Sequence, residues 1–197
     1  MLKHHSLIAT LAAALLLPLA ISAAETEQQA LLSALSEGGK VVIMRHASTQ
    51  EAEAEVSMRL SSDCSEEQNL SAEGRAEARQ IATAFAAHGI TVDAVYSSEY
   101  CRARETAEIA FGGGEAWAAL NLAERMERDR SAFLMMDVEE RMGDFRGDGN
   151  LVLVTHRSNI NTILFQQTEP SDMVILQPDG SGGVDLLGLL PVAELSQ

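Results

Sequence analysis

The chain has 197 residues and a formal charge of −15, because 29 acidic residues outnumber 14 basic ones. A field of this sign repels nucleic acid and anionic membrane surfaces, so neither is expected as a partner. The length suits one domain built around one hydrophobic core.

Residues 1–24 have the layout of a secretory signal peptide. A weakly basic start precedes a continuous apolar run, and small residues at Ser22 and Ala24 fit the cleavage rule. The alternative is an uncleaved membrane anchor, because the apolar run approaches the length of a short span. We expect cleavage, which leaves residues 25–197 as a single domain that is periplasmic or secreted and has no stable membrane insertion.

Beyond this segment, short apolar runs rich in β-branched residues alternate with longer runs of helical period. Residues 50–69 are acidic and lack a period, so we interpret them as a long surface excursion. Residues 115–149 are interpreted as helical and polar. The predicted helices are residues 28–36, 71–89, 102–111, 130–145 and 158–167. The predicted strands are residues 40–44, 91–98 and 150–156, followed by two strands within 172–190 that a glycine-rich turn joins.

Strands that alternate with helices predict an α/β domain: a three-layer sandwich with a mostly parallel central sheet and helices on both faces. In such sheets, ligands bind beyond the carboxyl ends of the strands. Three strand ends carry polar groups of interest, namely Arg45 with His46, Arg102 with Arg104, and His156. Each is a weak signal alone, since most such histidines are structural and such arginines often form surface ion pairs.

Together these strand ends are more informative. One edge of the sheet would collect two histidines and at least two guanidinium groups in an otherwise acidic protein, and an anion would relieve their mutual repulsion. The planar fork of arginine suits the oxygens of phosphate, and a neutral imidazole can attack phosphorus. The residues therefore predict phosphoryl transfer that needs neither a metal nor a cofactor.

Four ordered blocks resemble the histidine phosphatase, or phosphoglycerate mutase-like, superfamily. They are "MRHA", "LSAEGRAEARQIATAF", "VYSSEYCRARETAEIA" and "LVLVTHRSNI", and they span residues 40 to about 162. The resemblance implies a phosphoglycerate mutase-like fold and a histidine acid phosphatase-type phosphomonoesterase. The "DC" at residue 64, the block "CRARETAEIAFG" and the expected export are similar to a periplasmic branch that includes lipopolysaccharide core heptose phosphatase-like proteins.

The resemblance also implies roles for individual residues. His46 would attack phosphorus and form a phosphohistidine. Arg45, Arg102 and His156 would hold the phosphate oxygens and stabilise their charge in the transition state. The third block selects Arg102 rather than Arg104. Ala47 stands where glycine is commoner, a replacement that other branches tolerate.

The general acid has no clear motif. An alkoxide leaving group needs a proton, so a carboxylic acid is expected near the site. In similar enzymes a glutamate about two dozen residues beyond the second arginine supplies it, which nominates Glu124 and then Glu127. Asp172 is a further option. A solvent-facing helix surface is an equally good interpretation of the two glutamates.

The expected substrate is a small-molecule or glycolipid phosphomonoester outside the cytosol or in the envelope. Four alternatives remain open: a phosphohistidine-protein phosphatase, which needs no acid; a phosphate- or phosphosugar-binding module without turnover; an intramolecular mutase; and a metal site. The histidines lack the spacing and companion ligands of a zinc pattern, and excursion 50–69 offers few basic residues for a mutase.

The chain has two cysteines, Cys64 and Cys101. In an exported protein this count predicts one disulfide between them. Such a bond would tie the acidic excursion to the residue that precedes Arg102.

Overall fold

The apolar, β-branched runs form the centre of a six-stranded sheet in the computed structural model, which describes residues 23–196. The strands are β1 Val41–Arg45, β2 Val92–Ser97, β3 Glu115–Ala116, β4 Asn150–Thr155, β5 Met173–Pro178 and β6 Val184–Leu190. The α-helices are α1 Ala23–Glu37, α2 Ala54–Ser57, α3 Ala72–Ala87, α4 Cys101–Phe111, α5 Arg128–Gly143 and α6 Arg157–Leu164. Short 3-10 turns cover Cys64–Glu66, Ala118–Leu120, Ala123–Arg125 and Val192–Ser196.

The strand order is β3-β2-β4-β1-β5-β6. The first four strands of this order pair in parallel, as predicted, whereas β5 is antiparallel to β1 and β6 is antiparallel to β5. The sheet is therefore mixed. A short turn joins β5 to β6, and a connection of that length permits only antiparallel pairing.

Helices cover both faces of the sheet, which confirms the predicted layers. Along β1, Val42 and Met44 pack into a core with residues of α1, α3 and α4. Their neighbours Val41 and Ile43 point the other way, into a core with residues of α5 and α6. This alternation follows from the two-residue period of a strand, and burial on both faces explains the uninterrupted apolar run.

The helix ends follow the local sequence signals closely. Ser71 caps α3 by accepting a hydrogen bond from the amide of Gly74 at 3.0 Å, and Gly89 takes a positive φ just beyond the helix. Gly112 ends α4 in the left-handed conformation that glycine tolerates. Phe165 ends α6 in the same region of φ, so this helix stops before the predicted residue 167.

Segment 115–149, predicted to be helical with residues 130–145 as its main helix, contains that helix as α5 but differs from the prediction at its start. Residues 115–116 form the edge strand β3, which two residues are too few to reveal by periodicity. Helix α1, Ala23–Glu37, begins five residues before the predicted helix 28–36 and ends one residue after it. Within 50–69 the chain forms only α2 and one 3-10 turn, in agreement with a surface excursion.

The predicted signal peptide, residues 1–24, lies almost wholly outside the described residues and stays a prediction. Between residues 23 and 196, no helix is long and apolar enough to cross a bilayer.

Candidate active site

Neighbouring strand ends bring the predicted polar residues to one edge of the sheet. Arg45 ends β1, and the amide of His46 donates to the carbonyl of Thr155 at the end of β4 (3.0 Å). The chain that leaves β2 enters α4, which carries Arg102 in its first turn. Five of the predicted residues, Arg45, His46, Arg102, Glu124 and His156, line one cleft of about 400 Å³.

His46 is held in one tautomer. Its Nδ1 lies 2.9 Å from the carbonyl oxygen of Ala47, which can only accept, so Nδ1 carries the proton. Nε2 therefore presents a lone pair, to which Arg102 Nε donates at 3.1 Å. Burial lowers the pKa of His46 to about 3, with Arg102 as a further cause. The imidazole is neutral at ordinary pH and has its nucleophilic nitrogen facing the cleft.

His156 is held in the opposite tautomer by a chain of hydrogen bonds. Nη2 of Arg102 can only donate to His156 Nδ1 (3.4 Å), so the ring proton is on Nε2 and is donated to Ser98 Oγ (2.9 Å). Ser98 Oγ then donates to Asn121 Oδ1 at 3.0 Å. Burial, followed by the interactions with the neighbouring His46 and Arg102, lowers the pKa of His156 well below its usual value.

Ser98 and Asn121 did not emerge from the sequence as site residues. Ser98 lies inside the "SSEYCRAR" block, so its position beside a strand end was a usable signal. Asn121 lies in a segment without a motif, and only the packing of residues 118–125 against α6 brings it near the histidines.

Arg102 is a buried cation, 3 % exposed, without a carboxylate within 4 Å in the part of the chain that the structure describes. Its Nη1 is buried and has no hydrogen-bond partner among those residues. The guanidinium stacks on the ring of Tyr100 at 4.5 Å, and burial lowers its pKa. Arg104 is exposed on the far side of α4 and does not line the cleft, so the structure favours Arg102.

Arg45 is half-buried at the mouth of the cleft. Its Nη1 donates to the carbonyl of Thr168 at 3.2 Å and lies 3.9 Å from the largely exposed carboxylate of Glu169. Burial lowers the pKa of Arg45, and Arg157, which lines the same cleft, lowers it further. Three guanidinium groups thus face a cleft in which two histidines are neutral.

Helix α3 supports the loop that follows His46. Glu77 accepts hydrogen bonds from the amide and hydroxyl of Ser48 (2.9 and 2.6 Å) and from the hydroxyl of Ser171 (2.8 Å). At Gly74, a Cβ would lie 2.0 Å from the carbonyl oxygen of Ser48, so only glycine permits this approach. A glycine early in an alanine-rich helix was the available sequence signal for this contact.

The three candidate acids differ in position. Glu124 lines the cleft from the 3-10 turn Ala123–Arg125, which Asn159 anchors by accepting from the amide of Ala123 at 3.1 Å. Glu127 immediately precedes α5 and does not line the cleft. Asp172 is buried outside the cleft, where it accepts from the amide of Glu169 at 2.8 Å, and burial raises its pKa. Of the three candidates, Glu124 is therefore the one that lines the cleft.

The predicted disulfide is present. Cys64 and Cys101 are bonded, with Cα atoms 5.7 Å apart, and the sequence separation is 37. Beside it, the buried carboxylate of Glu67 accepts from the amides of Cys101 and Ser61 at 2.9 Å. Excursion 50–69 is thus tied to the first turn of α4, directly before Arg102.

The geometry suits a tetrahedral oxyanion rather than a metal ion. Three guanidinium groups face the cleft, and their positive charges would repel a metal cation and attract phosphate. Among residues 23–196, no three His, Cys, Asp or Glu side chains are grouped so that they could hold a metal ion.

Comparison with known proteins agrees with this geometry. Residues 41–127 match the family described as histidine phosphatase superfamily (branch 1). No curated protein sequence matches the chain. One similar solved structure is the protein histidine phosphatase SixA complexed with tungstate, with a TM-score of 0.57, 17% identity, and coverage of 80% of this chain and 99% of that one.

Two further solved structures share the fold. One is a proposed alpha-ribazole-5'-P phosphatase from Escherichia coli, with a TM-score of 0.56, 16% identity, and coverage of 75% of this chain and 94% of that one. The other is a variant phosphoserine phosphatase from Entamoeba histolytica in complex with phosphoserine, with a TM-score of 0.53, 15% identity, and coverage of 78% and 97%. The family match covers β1 and the Arg102 helix, and the similar structures extend over the remaining fold. The match to the histidine phosphatase superfamily (branch 1) thus spans residues 41–127, and the chain as a whole shares the fold of these phosphatase structures.

Proposed function

We propose that this protein is a metal-independent phosphomonoester hydrolase that works through a phosphohistidine intermediate on His46. The observation that carries the proposal is the environment of Arg102: a buried guanidinium without a carboxylate partner, whose Nη1 has no hydrogen-bond partner among the described residues. Such a charge is costly to bury, and a bound phosphate would compensate it. The neutral Nε2 of His46 lies 3.1 Å from the same guanidinium.

In the first step, His46 Nε2 attacks phosphorus, and the bond from phosphorus to the leaving oxygen breaks as the P–N bond forms. The ring keeps its Nδ1 proton, and the carbonyl of Ala47 stabilises the positive charge that the ring acquires. Glu124 gives its proton to the leaving oxygen. In the second step, water attacks phosphorus, Glu124 takes a proton from that water, and the P–N bond breaks to release phosphate.

His156 must change its role when phosphate binds. Its Nδ1 accepts from Arg102 in the free protein, so contact with a phosphate oxygen requires a proton on Nδ1. A dianion beside the ring opposes the burial that lowers the pKa of this histidine. His156 then donates to the oxyanion together with Arg45 and Arg102, and all three stabilise the charge of the transition state.

We further propose a small-molecule or glycolipid phosphomonoester outside the cytosol as the substrate. The disulfide Cys64–Cys101 supports this location, because such bonds persist in oxidising compartments. The apolar run and small residues of segment 1–24 point the same way. The likeness to a periplasmic heptose phosphatase-like branch remains a proposal of the same kind.

A second candidate function is hydrolysis of phosphohistidine in a protein. The observation in its favour is that the Glu124 carboxylate is exposed and makes no hydrogen bond or ion pair within the described part of the chain. An imidazole leaving group departs without help from a strong acid, so such an enzyme would not need Glu124 to be positioned. One of the similar structures is a protein histidine phosphatase.

The test of the proposed function is phosphate release from an aryl phosphate, with and without chelator. Wild type should turn over equally in both conditions, and His46→Ala should lose at least a thousandfold in kcat, because no other nucleophile is aligned. Base quenching of the wild-type reaction should trap an acid-labile phosphoenzyme. Arg104→Ala is the matched control. Substantial hydrolysis by His46→Ala would refute the mechanism, and binding of phosphate without turnover in wild type would indicate a binding module.

Glu124→Gln separates the two candidate functions. If Glu124 protonates an alkoxide, the variant should lose about a hundredfold in kcat/KM with an alkyl phosphate and far less with phosphohistidine or a good aryl leaving group. The measurement is kcat/KM across leaving groups of different basicity, with Glu127→Gln as the control. An equal, small loss for every substrate would remove Glu124 from the mechanism and favour the phosphohistidine substrate.

A further inference from the structure

The cleft around His46 adjoins a second hollow, which we call the side pocket. Its volume is about 380 Å³, and it shares Met58 and Leu122 with the cleft. Each space alone is of the size that small ligands occupy. A phosphate bound at His46 would therefore have its ester oxygen near an opening with room for an organic group.

The side pocket has a mixed wall, in which five apolar or aromatic side chains stand beside Glu55, Arg59, Asn121 and Arg125. Met58, Leu60, Tyr100, Leu122 and Met126 line it, and Leu60 is 44 % exposed. The hydroxyl of Tyr100 donates to the carbonyl of Met58 at 3.0 Å, so the two sides of the pocket are bonded to each other. The same ring lies 5.0 Å from the ring of His156 and therefore connects the pocket wall to the phosphate site. An apolar group that enters this pocket would find the wall already formed.

A cation lines the same pocket. Arg125 lines the side pocket and has no carboxylate within 4 Å in the described part of the chain. The other arginine there, Arg59, is paired with Glu55 at 3.3 Å. In a chain of formal charge −15, Arg125 is thus a local positive charge that an anionic ligand group can pair with.

We infer that the side pocket binds the leaving group, and that the substrates are phosphomonoesters whose organic part is apolar and ring-sized and carries a second anionic group. The apolar part packs on Met58, Leu60 and Tyr100. The second anion pairs with Arg125. This inference rests on the proposed function, because it places the phosphate at His46. It narrows the substrate class to small amphipathic molecules with two negative groups.

The inference is tested by binding, so that turnover is not required. Three phosphonates, which cannot be hydrolysed, are titrated calorimetrically into the full protein: methylphosphonate, benzylphosphonate and 4-(carboxymethyl)benzylphosphonate. Wild type should bind benzylphosphonate about tenfold more tightly than methylphosphonate, through burial of the ring. The added carboxylate should contribute about another tenfold, through its pairing with Arg125.

Three variants show which residue causes each increase in phosphonate affinity. Arg125→Gln should remove the gain from the carboxylate. Arg128→Gln, which deletes an exposed arginine three residues further on and outside both hollows, should keep that gain. Leu60→Ser should reduce the gain from the ring. Because Leu60 is exposed, the variant should fold as wild type does, and circular dichroism checks this directly.

Three results would overturn the inference: equal affinities for the three phosphonates, an equal loss in the two arginine variants, or a ring gain that Leu60→Ser leaves intact. Hydrolysis of phenyl phosphate is measured in parallel. If wild type hydrolyses phenyl phosphate but binds the three phosphonates equally, the role of the side pocket is refuted and the phosphatase function stands. Selective binding without turnover would refute the phosphatase mechanism and leave the ligand class standing.

Discussion

At the scale of single residues, the site consists of groups that are costly to bury. Arg102 and His46 are 3 % and 7 % exposed, and no carboxylate within 4 Å neutralises the guanidinium among the described residues. The protein limits this cost by keeping both histidines neutral, each with a fixed tautomer. The remaining charge is compensated only when an anion binds, so binding and stability oppose each other at Arg102.

This opposition gives a prediction for Arg102→Met, which replaces the charge with an apolar chain of similar length. In phosphate-free buffer the melting temperature of the variant should equal or exceed that of wild type, because a buried unpaired charge is gone. Its affinity for vanadate should fall at least about tenfold, because charge-assisted hydrogen bonds are lost. Thermal melts and calorimetry measure both effects.

Arg104→Met is the control, since Arg104 is exposed outside the cleft. It should leave vanadate affinity within about twofold of wild type. An equal loss of vanadate affinity in Arg102→Met and Arg104→Met would contradict the selection of Arg102 as the arginine that binds the phosphate.

At the scale of elements, the excursion 50–69 forms one side of the cleft and is fastened at several points. Residues Thr49 and Leu70 pair as an isolated bridge at its base. Further along, the Cys64–Cys101 disulfide and the hydrogen bond from the Cys101 amide to Glu67 join it to α4. The segment has little regular structure, so these tethers decide where its cleft-facing residues lie.

Removing the disulfide with Cys64→Ser/Cys101→Ser should lower the free energy of unfolding by about 3 to 4 kcal/mol, the chain-entropy value for a loop of this length. KM should rise more than kcat falls, because the cleft wall and Arg102 are held less firmly while His46 keeps its own supports. Chemical denaturation and steady-state kinetics measure the two effects.

Reduction of wild type should reproduce these changes, and reductant should not affect the double variant. Two alkylatable thiols in the unreduced protein, or a double variant as stable as wild type, would contradict the prediction.

At the scale of the whole molecule, the net charge of −15 coexists with a cleft in which arginines dominate. The acidic surface and the cationic cleft respond to pH in different ways. The two site histidines have pKa values lowered by burial, that of His46 to about 3, so the folded protein keeps them neutral where the unfolded chain protonates them near pH 6.5.

This difference predicts acid destabilisation. Between pH 6.5 and about pH 3 the unfolded chain binds protons that the folded chain does not, so the free energy of unfolding falls as the pH falls. Each histidine contributes about 1.4 kcal/mol per pH unit. Denaturant titrations from pH 6.5 down to 5, before most carboxylates titrate, measure the slope in phosphate-free buffer.

His46→Ala should have a slope shallower by about one histidine's contribution. The His88→Ala variant is the control, because His88 lies outside the cleft at the end of α3. Identical slopes in wild type and His46→Ala would show that His46 is protonated in the folded protein.

The sequence by itself determined the features that depend on neighbours along the chain. Strands β1 and β4, the capped helix α3 and the hairpin β5–β6 follow from periodicity, an N-cap and a glycine-rich turn. Arg45, His46 and His156 were predicted because each lies at the end of a strand, and parallel strands end at a common edge. The strand-end argument left Arg102 and Arg104 open, and the family resemblance of the third block selected Arg102. The family match agrees with this fold.

Only the tertiary structure decided the features that depend on residues distant in sequence. Arg102 reaches His46 and His156 across separations of 56 and 54 residues, and these contacts fix the tautomers. The support of Ser48 by Glu77 and the two-residue strand β3 likewise leave no local pattern. The resemblance nominated Glu124 first, and only packing shows that it lines the cleft whereas Glu127 and Asp172 do not. Propensity and motif act within a few residues, whereas hydrogen-bond partners, burial and charge are set by packing of the whole chain.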